Sequence, residues 1–412
     1  MSGNQVVDAS ALVRPETWQD PYPIFRQLQQ YAPVCLTEAM GGWLLTRYDD
    51  VSAALRDPRL SSRRSAAFAQ RLPPASQEQV VALVRHLAGW TLFTDAPDHT
   101  RLRALINKGF SMRLVEAMRP RLQTIVDRLL DAVEARREFE VLRDLAIPLP
   151  VMVIGGMLGL PEKDYPRLRE WSDALAPFFS GRLDPGTISR AAAAIAELDS
   201  YFAPLITARR QHPGDDLVSS LIVAEEEGRI LDDQEVRSTC VMLLFAGHET
   251  TTHLIGNGLY TLLRHPEACE ALIRSPGLGH SAIEEMLRYE SPVQWQSRIA
   301  LEDVDLHGHR IPKNGRIFLM LGAANRDPAH FAEPDRFDIA RRNNKHVAFG
   351  QGPHYCVGAA LGRLEALIAI QSTLARLPDL RLVDPETRWL ENSVLRGLKQ
   401  LRLTSDTLKA DS

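Results

Sequence analysis

The chain has 412 residues, of which 45% are hydrophobic and 24% charged, and its formal net charge is −4. That composition excludes an extended disordered polymer and allows a sizeable core. The slightly negative balance gives no ground for nucleic acid or an anionic membrane as the main partner. The opening stretch MSGNQVVDASALVRPETWQDPYPIF has neither a basic n-region nor an apolar h-region, so neither a signal peptide nor a membrane anchor is expected. Cys35, Cys240, Cys269 and Cys356 are scattered without CxxC spacing. This argues against a disulfide framework or a zinc ribbon and suits a reducing cytoplasm.

In chain order, GGWLLTRY (41–48) reads as a short strand, and VSAALRDPRL (51–60) and IVDRLLDAVEARREFEVL (125–142) carry helical periods. Asp232 with Glu235 three residues later forms a capping-box signature, and the apolar pattern then runs to His265, where Pro266 would stop it. A helix of that length spans roughly 50 Å. Its middle, CVMLLFAGHETTTHLIGNGLY (240–260), is apolar on nearly every face, so it should cross a core. His248 and Glu249 break the run too early for a membrane span. Within it, Gly247 is a poor helix former and Thr250 can turn its hydroxyl onto the carbonyl of Ala246, which predicts a bend or a bulge. DVDLHGHRIP (303–312) carries a hairpin turn at His307-Gly308-His309, RIFLMLGA (316–323) reads as a strand, and LGRLEALIAIQSTLARL (361–377) as a helix. Helices and strands do not alternate, so the expected fold is mainly α with small β-sheets, an α+β class.

Cys356 lies among Gly350, Gly352 and Gly358, just before a helical pattern. A helix N-terminus stabilises a thiolate, and the glycines let backbone approach a flat object closely. Phe349 supplies an apolar cover, and a thiolate so held suits a soft or borderline metal. A buried structural cysteine is the plainer alternative. A Cys/His hydrolase would need an independent base, and His354 is only two residues from the thiol.

The run Phe349-Gly350-x-Gly352-x-His354-x-Cys356-x-Gly358 resembles the haem-binding loop of the cytochrome P-450 family, the haem-thiolate monooxygenases. The resemblance implies one large catalytic domain over 1–412, with short tails and the long central helix crossing the core over the haem. It implies haem b, with Cys356 as axial ligand of the iron, a ligand type that favours O–O cleavage. Phe349, Gly350, Gly358, Ala246 and Gly247 would lie against the cofactor. Glu249 and Thr250 match the family's acid–alcohol pair, which delivers protons to bound oxygen. Glu285 and Arg288 match its ExxR pair, with Arg336 as the expected third partner. His99, Arg103, Arg298 and His354 match its propionate partners.

No flavin or iron–sulfur segment is present in the sequence, so electrons from NAD(P)H are expected through separate proteins, a ferredoxin or flavodoxin and its reductase. Arg113, Arg119, Arg121, Arg341, Arg342 and Lys345 are the candidate docking cations. The substrate region is expected in the loop from Ser61 to Trp90, in Leu175, Phe178, Phe179 and Leu243, and in Val293 and Val394. That lining suits a hydrophobic small organic molecule. The family resemblance suggests hydroxylation or epoxidation by O2 in secondary metabolism, by a cytoplasmic monomer. A peroxide-driven enzyme and a non-catalytic haem sensor are the competing functions.

Overall fold

The computed structural model describes residues 7–65, 77–134, 136, 138–179, 184–226, 229–377 and 379–406. Residues 66–76 of the Ser61–Trp90 loop therefore lie outside the described residues. The helices that carry or flank the interior are α1 (Asp98–Gly109), α2 (Arg119–Glu134), α3 (Pro148–Met157), α4 (Tyr165–Phe179), α5 (Pro185–Gln211), α6 (Asp233–Arg264), α7 (Gly279–Tyr289) and α8 (Ala359–Arg376). Strands among the described residues are short, as the α+β expectation has it.

Helix α6 is the long helix read from the sequence. The Asp232 carboxylate accepts the Glu235 N–H at 2.8 Å, and the Glu235 carboxylate accepts the Asp232 N–H at 3.0 Å. These two bonds satisfy amides that the first turn leaves without partners. His265 caps the far end, and Pro266 opens the next helix. Helices α3, α4, α5, α7 and α8 all pack on α6, which is why its apolar residues are not confined to one stripe. The helix is α-helical from Asp233 to Arg264 with no π-bulge. The hydroxyl of Thr250 does donate to the Ala246 carbonyl, at 3.2 Å.

Five strands form the main sheet: β1 (Val34–Thr37), β2 (Gly42–Leu45), β3 (Leu60–Ser61), β4 (Gln296–Ala300) and β5 (Arg316–Leu319), in the order β1-β2-β5-β4-β3. β5 runs parallel to β2, with Ile317 beside Trp43, and antiparallel to β4, with Ile317 opposite Arg298. The hairpin falls where its turn residues put it. Val304–Leu306 pairs with His309–Ile311 across His307 and Gly308, both at positive φ.

Two sequence readings are corrected. The helical period over 125–142 holds only to Glu134. Glu138–Glu140 is instead a strand paired with Arg402–Thr404, because Phe139 is buried and Glu140 Oε1 accepts amides of Leu142 and Leu401. The helix in VSAALRDPRL stops at Ala54, and Leu60–Ser61 joins the sheet beside Ala300 and Ile299.

Candidate active site

The cysteine loop is shaped by two glycines. Gly350 and Gly352 both sit at φ +69°, a conformation that side chains with a Cβ rarely adopt. At Gly352 a Cβ would also stand 3.0 Å from the Leu55 carbonyl. The turn lets the Gly350 N–H reach the Val347 carbonyl at 2.8 Å, and the Cys356 N–H reach the Phe349 carbonyl at 3.0 Å. Gly358 is the N-cap residue of α8, and a Cβ there would meet nothing within 4 Å. Burial pushes the Cys356 thiol up. The Gly358 N–H and the charges of Arg103 and Arg363 pull it the other way.

Cys356 faces an interior cavity of about 590 Å³. On one wall stand Phe349, Cys356 and Val357; on α6 across from them stand Leu243, Ala246, Glu249 and Thr250. Val293, Val394 and Phe179 close the apolar end. Phe179 belongs to a group of stacked or tilted rings with Trp90, Phe93 and Phe245, its centroid 4.4 Å from that of Phe245. Phe178 and Leu175 are corrections. Both are fully buried in the core and do not line the cavity; Phe178 sits one helical step, about 100°, from Phe179. Gly247 also turns from the cavity, toward Ile154.

Glu249 lies beside His253, whose Nε2 is 3.5 Å from Glu249 Oε2. Burial raises the Glu249 carboxyl, but the imidazoles of His253 and His248 and the Arg169 guanidinium outweigh it and hold the group below its ordinary range. The carboxylate of Asp173 lies within 4.8 Å of the same cluster, and burial and the Glu249 charge push it up.

One edge of the cavity is basic. The rings of His99 and His354 lie tilted by 41° with centroids 4.0 Å apart, and Nε2 of His99 is buried without a hydrogen-bond partner. Arg103 donates to Asn107 at 3.0 Å and to the Tyr355 carbonyl. Arg298, just behind the lining, donates to the Ser297 carbonyl at 3.0 Å. Burial, then the neighbouring cations, hold His354 down at about 3; burial lowers Arg298 to about 10. Among the described residues none of these arginines forms an ion pair with a carboxylate. Buried cations in that state call for anions from outside the chain. A flat apolar cofactor with two carboxylates and a thiolate-binding iron fits this donor set. Arg64 and Arg316 also line the cavity; Arg64 lies in the Ser61–Trp90 stretch expected near the substrate but was not singled out there, and the sequence carried no signal for Arg316.

Beneath the loop, Glu285 and Arg288 are fully buried and pair through two 2.8 Å bonds. The expected third partner was Arg336, but its side chain pairs outside with Glu333 at 3.1 Å. Only its carbonyl takes part, accepting from Arg288 at 3.1 Å. Arg341 is the cation that reaches Glu285, at 3.1 Å to both oxygens. Arg341 is therefore tied up in this network and not free for docking. Arg119 pairs with Glu116, and Arg121 lies in a cleft with Met152 and Tyr165. Arg113, Arg342 and Lys345 are exposed.

No helix among the described residues is long and apolar enough to cross a membrane. The family model "Cytochrome P450" matches residues 167–274 and 279–391. The chain is 41% identical to cytochrome P450 monooxygenase PikC of Streptomyces venezuelae, over 93% of this chain and 90% of the relative. It is 38% identical to the biotin biosynthesis cytochrome P450 of Bacillus subtilis, over 96% and 99%. A solved structure of P450BioI with an acyl carrier protein bearing hexadec-9Z-enoic acid superposes with a TM-score of 0.90 at 37% identity, covering 97% of this chain and all of that one. The match thus holds in sequence and in architecture over nearly the whole length, and the chain belongs to the cytochrome P450 family.

Proposed function

We propose that the chain works as one catalytic unit over 1–412, a haem-thiolate monooxygenase that inserts one atom of O2 into a C–H or C=C bond of a hydrophobic small molecule. The observation that carries this reading is the opposition of Cys356 to Glu249 and Thr250 across one cavity. When bound, haem supplies O2 activation at iron. The chain's own residues bind and orient. Cys356 holds the metal through sulfur, while Gly350 and Gly358 leave room for a flat ring and Phe349 shields the thiolate from water. His99, Arg103, Arg298 and His354 hold its carboxylates. Thr250, anchored to the Ala246 carbonyl, keeps a hydroxyl at the cavity wall, and the Glu249 carboxylate beside it would relay protons toward that hydroxyl.

Electrons come from NAD(P)H through a ferredoxin or flavodoxin and its reductase. The donor protein docks on the exposed cations Arg113 and Arg342, the former flanked in sequence by the exposed apolar side chains of Met112 and Leu114. PikC is named a monooxygenase, and another relative of 36% identity is named for polyketide biosynthesis. A substrate from secondary metabolism, oxidised in the cytoplasm by a monomer, agrees with these names. The acid–alcohol pair disfavours a peroxide-driven enzyme, since peroxide brings its oxygen already reduced. The test is the carbon monoxide difference spectrum of the reduced protein. The wild type gives the thiolate-type band and turns over with O2 and donor proteins, whereas Cys356→Ala gives neither. A thiolate-type band that persists in Cys356→Ala overturns the assignment.

A further inference from the structure

Charge at the basic edge does not balance once the cofactor's two carboxylates are placed. The proposed function sets Arg103 and Arg298 against them, two cations for two anions. His99 and His354 stand beside them at the same edge, their ring centroids 4.0 Å apart. Arg64 is left over. Its guanidinium lines the same cavity and lies over the Phe93 ring, 4.5 Å from the centroid. Its hydrogen bonds among the described residues leave Nη1 and end on neutral carbonyls, Ser62 at 3.3 Å and Leu92 at 3.2 Å. Burial and the like charges of Arg298 and Arg316 work against its ionised form.

Among the described residues no carboxylate pairs with it. Asp95, the nearest influence of opposite sign, already accepts from the Ser61 hydroxyl and the Ser62 N–H and faces Arg63. The two acids on the cavity wall, Glu249 and Glu391, lie beside His253 and Lys399, the latter at 2.7 Å. The sequence from Ser61 to Gln77 contains no Asp or Glu. A desolvated guanidinium with its fork open to an apolar cavity is a carboxylate receptor. From Arg64 the wall continues through Leu92, Phe93, Phe179 and Phe245, a surface for a hydrocarbon or aromatic body.

We propose that Arg64 binds the carboxylate of the substrate, so that the enzyme selects apolar monocarboxylic acids over their neutral counterparts. This rests on the monooxygenase reading of the same cavity. The charged group is held at one end, and the body lies along the aromatic wall.

The test is an optical titration of the haem-loaded ferric protein with laurate, palmitate and 4-phenylbenzoate, each beside its methyl ester and primary alcohol. At least one acid binds roughly ten- to a hundredfold tighter than its ester, the range expected of a charged hydrogen bond. In Arg64→Gln that ratio falls to near one while ester binding is unchanged; Arg64→Lys keeps part of it. Three results overturn the proposal. No acid is favoured over its ester in the wild type; or the preference survives Arg64→Gln; or Arg64→Gln speeds haem transfer to apomyoglobin with the ratio untouched, which assigns Arg64 to the cofactor. Should Arg64→Gln lose haem outright, Arg64→Lys decides, a full acid preference there overturning the proposal and a reduced one supporting it. A wild type without the thiolate-type carbon monoxide band refutes the Cys356 reading; one with the band and no acid preference refutes only Arg64.

Discussion

Replacing Glu284 by Gln probes how the cysteine loop is held from below. Glu284 on α7 accepts from Arg363 at 2.6 and 2.8 Å, and His346 Nε2 stands 3.1 Å from its other face. Arg363 in turn lies 4.4 Å over the Phe349 ring and donates to the Tyr355 hydroxyl at 3.1 Å. One carboxylate thus fixes two residues that flank the thiol. Burial raises this carboxyl, but the Arg363 and His346 hydrogen bonds and charges win and take it from 4.5 to about 2. At 1.36 kcal/mol for each pH unit, the drop corresponds to about 3 kcal/mol of folding stability at neutral pH. Its folded value is depressed, so the contribution is complete above pH 4.5 and fades as pH falls toward 2. About 2 kcal/mol of it is gone by pH 3. Urea unfolding followed by circular dichroism should find Glu284→Gln about 2–3 kcal/mol less stable than wild type at pH 7, with the gap closing below pH 4.5. A loss under about 0.5 kcal/mol, the level of an exposed ion pair, or a gap independent of pH, refutes the reasoning.

Thr250→Ala keeps haem and the thiolate band but diverts electrons to hydrogen peroxide; unchanged product formed per NAD(P)H consumed removes Thr250 from proton delivery. Burial alone pushes Glu365 up to about 8. The wild type therefore loses stability as pH rises from 4.5 to 8, and Glu365→Gln should be about 2–3 kcal/mol more stable at pH 7, with no advantage at pH 4. Denaturation at both pH values checks it. Phe178→Ala should cost about 3–5 kcal/mol by leaving a core cavity. Phe179→Ala costs less and shifts spectral binding toward bulkier ligands, which a paired melting and titration series will separate.

The features legible in the sequence were those set by local spacing. The Asp232–Glu235 box, the Gly350–Cys356 loop and the His307-Gly308 turn each need only a few adjacent residues, and each formed where expected. The failures came where a distant partner decides. Arg336 and Arg341 stand five residues apart in an irregular stretch, and nothing local says which guanidinium bends back to Glu285. Phe178 and Phe179 differ by one helical step, so a small rotation of α4 chooses which one meets the cavity. The period through residues 125–142 is helical, but Glu138–Glu140 finds a strand partner near the C-terminus. Arg64 fell in the Ser61–Trp90 stretch expected near the substrate, but nothing local singled it out, since the pairing of β3 with β4 is what brings that stretch beside the strand of Arg298.

The register of the main sheet orders events during synthesis. β2 holds its parallel neighbour β5 from the other end of the polypeptide, and β5 in turn braces the strand carrying Arg298. Such pairing cannot close while the nascent chain is short, and joins of this separation are slow to form. Cys356 and α8 leave the ribosome later still. The porphyrin can therefore be captured only after the strand that carries Arg298, its brace β5 and the Cys356 loop have all been made.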